Sequence, residues 1–213
     1  MGRKIIIAAA VVLSIGVLVR TFSTPGRAQN VEQATERLDK TEHQLSAEVK
    51  DSNNTAKDVA TDLTDGQDRL PGALAEFGKS TQRLHELRAE LAKDIASYDA
   101  ARNSKLADLD NELKQIKDAS TRRHMERLRT RAQHQTTEAL QNAQAALASL
   151  ESVLAQGTDL QHAAKCVQIA DELQLQGTDL TNQVQRAKEH VATYSRLSNN
   201  LLAQLTTTTT TTD

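Results

Sequence analysis

Six histidines, one cysteine and a cluster of arginines are the residues of this chain whose types invite chemistry. His43, His85, His124, His134, His162 and His190 are spread along the sequence. None is expected to pair with another His, Cys or carboxylate at metal-ligand spacing. His85-Glu86 lacks the second histidine that a zinc-protease helix needs to close its ligand set. The chain has no Gly-x-Ser-x-Gly elbow, no Gly-rich phosphate loop and no Cys-x-x-Cys. Paired carboxylates do acid–base work only where a desolvated cleft drives their pKa values apart, and so polar a chain has little core from which to build one. No catalytic residue, metal ligand or cofactor site is therefore expected. Cys166 is the only cysteine and has no internal partner for a disulfide. A small buried apolar residue is the expected role, with a cross-link between two copies as the other reading.

The arginines carry the one pattern with some edge. Residues 114–131 hold seven bases (Lys114, Lys117, Arg122, Arg123, Arg127, Arg129 and Arg131) against Asp118 and Glu126. Arg123, Arg127 and Arg131 stand at i, i+4 and i+8, which places them on one helical face. Like charges so spaced repel by a few tenths of a kcal/mol per pair, so the stripe is expected to meet anions. Arg122, Arg123, Arg127, Arg129 and Arg131 are the expected anion- or partner-binding residues; a solvated face or an internal acidic helix is the plainer reading. Residues 29–70 carry ten acids against five bases and are the expected internal partner. Gln133, Gln135, Thr136 and Thr137 follow the stripe and supply no apolar face to sink into lipid.

These side chains need elements to carry them, and composition leaves one kind. Among 213 residues there are only 8 Gly and 2 Pro, too few turns for a many-stranded sandwich or barrel. Aromatics number four (Phe22, Phe77, Tyr98 and Tyr194), with no Trp, which leaves nothing to stack on bases or sugars. The expected fold is all-α: an elongated antiparallel helical bundle or coiled coil of three to four long helices. Val31, Ala34, Leu38 and Leu45 share one face of a first helix that starts near Val31 behind an Asn30/Gln33 capping box. Asp51 to Thr55 weaken this helix, and Asp65-Gly66 and Pro71-Gly72 end it and mark a loop. From Lys79 to Gln156 there is no Gly or Pro, and Leu84, Leu87, Leu91, Tyr98, Leu106, Leu109, Leu113 and Ile116 keep coiled-coil spacing. That run reads as one long rod, with a break or kink near Asp118–Thr121. Leu140, Leu147, Leu150 and Leu154 continue the seam. Gly157-Thr158-Asp159 reads as a helix stop and a new N-cap, and the same phrase returns at 176–180. The last seam is Leu180, Val184, Ala187, Val191, Tyr194, Leu201 and Leu205. Residues 206–213, seven threonines and Asp213, read as a disordered tail.

The N-terminus reads as an address. Arg3 and Lys4 precede an apolar run from Ile5 to Val19, whose fifteen helical residues span about 22 Å, short of the roughly 30 Å hydrocarbon core. That length suits a signal peptide, residues 1–28, cut between Ala28 and Gln29; an uncleaved anchor held by residues 5–19 is the alternative. Loss of residues 1–28 removes Arg3, Lys4, Arg20 and Arg27 and no acid. The 26 bases and 28 acids become 22 and 28, a net charge of −6. A mildly acidic exported chain is a poor binder of nucleic acid.

From about Leu84 to Val191 the chain resembles an uncharacterised family of exported bacterial helical proteins, known only as a domain of unknown function. The similar features are the Leu-rich stretch ending in Glu112-Leu113, Ala119-Ser-Thr-Arg-Arg123, Leu128-Arg-Thr-Arg131, Val153-Leu-Ala155, Asp159 and Lys165. The resemblance implies an all-helical, export-directed protein and brings no activity with it. The expectation is a non-enzymatic extracytoplasmic scaffold or adaptor of a bacterial envelope, periplasmic or secreted. It would work by docking helix to helix, with a protein partner or by self-association, and with envelope membrane association open. A membrane-anchored sensor- or channel-associated protein, or a carrier of lipid or anionic polymer, is the rival.

Overall fold

The computed structural model describes residues 25–65, 67–173 and 178–207. The apolar run 5–19 and residues 208–213 of the threonine tract lie outside the described residues. Among the described residues there are four α-helices and no strand: α1 (Pro25–Asp65), α2 (Leu70–Gln115), α3 (Ala119–Glu172) and α4 (Thr178–Thr207), with a short 3₁₀ turn, Gln67–Arg69, before α2. None of these helices is long and apolar enough to cross a membrane.

The α1 backbone begins at Pro25, earlier than the capping box at Asn30 suggests, so Ala28 and Gln29 lie within its first turns. Val31, Ala34, Leu38 and Leu45 are all buried, and Val49, Ala56, Val59 and Leu63 extend the same face. The polar stretch 51–55 does not interrupt the helix. Ser52 and Asn53 turn inward, are almost fully buried and find partners on α4. Pro71-Gly72, expected in a loop, instead opens α2. Proline fits there because the first turn has no intrahelical acceptor for the N–H it lacks.

The gap-free run from Lys79 to Gln156 is not one rod. It breaks between Gln115 and Ala119, and the residue that restarts it is Asp118. One of its carboxylate oxygens accepts the Thr121 N–H at 2.6 Å, the N-cap geometry that satisfies an orphan donor. That bond holds the Asp118 carboxyl below the usual range. Leu109 and Met125, on either side of the break, are buried together with Leu106, Leu113, Ile116 and Leu128 packed against them.

At Gly157 the expected stop is absent, and α3 continues to Glu172. The glycine is there for space. A Cβ at this position would stand 3.2 Å from Tyr194 Cε2 and 3.7 Å from Phe77 Cζ. The Tyr194 and Phe77 rings meet edge to face with centroids 5.1 Å apart. A mid-helix glycine costs about 1 kcal/mol against alanine, and close approach of this aromatic pair offsets it. Gly157→Leu is therefore expected to destabilise by about 2–3 kcal/mol through overpacking, whereas Gly72→Ala, with nothing within 4 Å of the added Cβ, should stabilise by about 0.5–1 kcal/mol. Denaturant midpoints of the two variants check the pair. The second copy of the phrase does meet a helix end, since Thr178 opens α4. That helix runs through Thr207, two residues into the expected tail. Leu180 and Val184 are only half-buried, and its seam proper is Ala187, Val191, Tyr194, Leu201 and Leu205.

The helices form two compact units. The first takes the described residues to Glu42, Glu90–Ala145 and those from Leu205; the second takes His43–Ala89 and Ala146–Gln204. In the first, Val31, Ala34, Leu38, Leu91, Ile95, Tyr98 and Ala132 are buried, and Leu109 and Met125 form a separate cluster by the α2–α3 break. In the second, Leu45, Val49, Phe77, Leu84, Leu150, Val153, Leu160, Tyr194 and Leu201 are buried.

Candidate docking face and buried polar pairs

The five arginines singled out above lie on the first turns of α3 and divide into two sets. Met125, Ala132 and Thr136 point to the core, which forces the residues between them outward. Arg129 falls at the flank and turns inward. Its Nε and Nη2 donate to the two carboxylate oxygens of Asp110 on α2 at 2.9 and 3.0 Å, and Nη1 donates to Gln133. This fork-to-fork pair is the geometry that makes arginine specific for carboxylates. Arg122 donates to Glu126 one turn on, at 3.1 Å. The expected ion-pair partner of the cluster was the acidic stretch 29–70, yet Arg129 takes its carboxylate from α2. Asp110 is thereby engaged by Arg129, and Lys114, one turn further along α2, donates to Asn111.

Arg123, Arg127 and Arg131 remain. All three are exposed, and none forms an ion pair or hydrogen bond with another described residue. Eight residues of helix separate the first from the last, about 12 Å. They line a shallow open groove with Glu126, Thr130, His134, Gln135 and Glu138. His134 Nδ1 lies 3.4 Å from a Glu138 oxygen, an i, i+4 pair contrary to the expectation that no histidine meets a carboxylate at such spacing. Gln135 Oε1 is buried without a hydrogen-bond partner. The groove thus presents three unpaired guanidinium groups with two carboxylates, Glu126 held by Arg122 and Glu138 beside His134, and no large apolar side chain among its lining.

Inside each unit, polar side chains meet across helices. In the first, Thr41 Oγ1 donates to Asp94 at 2.8 Å, and Arg102 donates to Thr136 at 3.1 Å and to Thr137 at 2.8 Å. Together with Asp110–Arg129, the Arg102 bonds show α2 and α3 running in opposite directions there. Half-buried Glu42 is pushed up to about 7 by burial and then by the neighbouring Asp39 carboxylate. Tyr98 is raised to about 12, again chiefly by burial, and its hydroxyl has no hydrogen-bond partner. In the second unit, Ser52 Oγ and Tyr194 Oη are 2.5 Å apart, Ser80 donates to Glu48 at 2.8 Å, and Gln156 meets His190 Nδ1 at 2.6 Å. Burial raises the Tyr194 hydroxyl pKa, opposed by the Ser52 bond. These pairs join residues far apart in sequence, which is why inspection of the sequence misses them.

Cys166 is exposed, against the expectation of burial. Ala164 and Val167 are the core-facing residues of that turn, and the cysteine falls on the other side of the helix. Among the described residues, no group of three or more His, Cys, Asp or Glu is placed to hold a metal ion. Comparison of the chain with protein-family models, with curated proteins and with solved structures finds no match in any of the three.

Proposed function

We propose that this chain is a non-enzymatic, extracytoplasmic helical scaffold or adaptor of a bacterial envelope, acting through helix-to-helix docking. The observation that carries the reading is the division of the arginines. Where the fold needs a guanidinium it pairs it, as with Arg129 and Asp110. Arg123, Arg127 and Arg131 are left facing outward at one helical repeat. Three unpaired like charges on one face add nothing to the stability of the chain itself. Their use lies in an acidic helical face of a partner, with leucine seams inside the bundle supplying rigidity and charge supplying register. Export rests on the Arg3-Lys4 start and the short apolar run Ile5–Val19. A lipid carrier is less favoured, because the groove is lined by charged and polar residues with no large apolar side chain among them.

The test is site-specific photo-cross-linking in cells from position 127, with partner identification by mass spectrometry. Changing Arg123, Arg127 and Arg131 together to Glu is expected to weaken capture of the partner by about 10- to 100-fold while helix content stays unchanged, since exposed pairs contribute up to about 1 kcal/mol each. Undiminished capture of the same partner would remove the stripe from the function. A mature N-terminus at Gln29 supports release into the exterior, and an intact N-terminus on an exported chain supports the anchored form.

A further inference from the structure

The last turns of α3 have two apolar sides, and the described residues cover only one. Leu160, Ala164, Val167 and Ala170 face the core and are buried. On the opposite side stand Cys166, Ile169 and Leu173, spaced three and four apart. Ile169 is 54% exposed and Leu173 66%, and they are the large hydrophobic side chains that the described residues leave open. The helical hydrogen bonding carries through this stretch, since Leu173 N–H donates to Ile169 C=O at 3.0 Å. Single exposed leucines are ordinary, but a pair at i, i+4 continuing a three-four spacing forms a seam without a mate.

The charges beside the seam indicate its mate. Lys165 and Glu172 are both exposed and lie along the same flank of it, seven residues apart. A second copy laid antiparallel, with the two-fold axis between Gln168 and Ile169, brings Lys165 of each copy opposite Glu172 of the other. A parallel copy sets Lys165 beside Ala170 and makes no such pair. Opposite charges placed symmetrically about an apolar centre on one flank are self-complementary, the requirement of an isologous contact. We propose that this outward face of α3, centred on Ile169, is a self-association surface on which a second copy of the chain lies antiparallel. It is independent of the arginine stripe and of the partner that stripe would take. Two large apolar side chains form its centre, against the roughly 20–30 residues a side of a standard interface, so the dimer is weak and concentration-dependent.

Sedimentation velocity of the full chain at rising concentration tests this. A reversible dimer is expected, with Ile169→Glu raising its dissociation constant about tenfold or more. Because Ile169 is exposed, circular dichroism of that variant should match the parent, and Ile169→Ser gives a milder second reading. Lys165→Glu and Glu172→Lys should each weaken the dimer, and the two together should restore it. An Ile169→Cys, Cys166→Ser chain should form a disulfide dimer on oxidation. The parent should not, because across this axis the two Cys166 stand beyond the roughly 7 Å between Cα atoms that a disulfide spans. A chain that stays monomeric throughout, a dimer indifferent to Ile169→Glu, a double charge swap that fails to recover, or ready cross-linking through Cys166 would each overturn the proposal. None of these results touches photo-cross-linking at position 127, so the two proposals stand or fall apart.

Discussion

Tyr194→Ala is expected to lower the unfolding free energy by about 3–5 kcal/mol, among the largest losses any single substitution in this chain should produce. The ring is fully buried, stacks edge-on against Phe77 and fills the space that Gly157 leaves open. Its hydroxyl meets Ser52 of α1. The side chain thus ties α4 to α1, α2 and α3 of its unit at once. Tyr194→Phe keeps the ring and removes only the hydroxyl, leaving Ser52 buried without its partner, and should cost about 1–2 kcal/mol. Urea unfolding of the two variants separates packing from hydrogen bonding. Equal losses would show that the ring is not the anchor described.

Acidity is the second lever. Glu42 goes from 4.5 up to about 7 because it is largely taken out of water and stands beside Asp39. A carboxyl whose pKa is higher in the folded state favours folding in its protonated form. Its contribution is complete below about 4.5 and is lost as pH rises through about 7. Stability should therefore fall from about pH 4.5 to about pH 7, by something on the order of 3 kcal/mol in all. Glu42→Gln should flatten that slope and leave the variant the more stable of the two at pH 8. Asp39→Asn should shrink the slope and shift it to lower pH, by removing the like charge. Unfolding midpoints at half-unit pH steps measure it, and a slope that survives Glu42→Gln would assign it elsewhere.

How far inspection of the sequence reaches differs by element, for physical reasons. The seams of α1 and α4 are legible because a 3.6-residue period in apolar residues has one interpretation when turn residues are scarce. The restart at Asp118 is legible as well, since an Asx cap is a local event whose parts lie within four residues. Gly157 is not. A glycine in a helical pattern marks either an end or a close approach, and only the ring across the interface, Tyr194, decides between them. Residue type misplaces Cys166: buried cysteines are common, but position 166 lies off the Ala164–Val167 face. The arginine cluster was located as a group and not resolved into its members, because the carboxylate that claims Arg129 sits on the preceding helix. The raised pKa values of Glu42 and Tyr98 give no signal, because they come chiefly from desolvation, which a linear sequence does not display.

Four aromatic residues and no tryptophan have a practical upshot. Near-ultraviolet absorbance of the chain comes almost wholly from Tyr98 and Tyr194, one in each compact unit. Both phenols are held protonated beyond their usual range while folded. Around pH 10.5, each unit that opens releases its own phenolate and brightens at 295 nm. With Tyr98→Phe and Tyr194→Phe as the two single-reporter chains, alkaline spectrophotometry becomes a label-free assay of whether the halves melt together or one before the other.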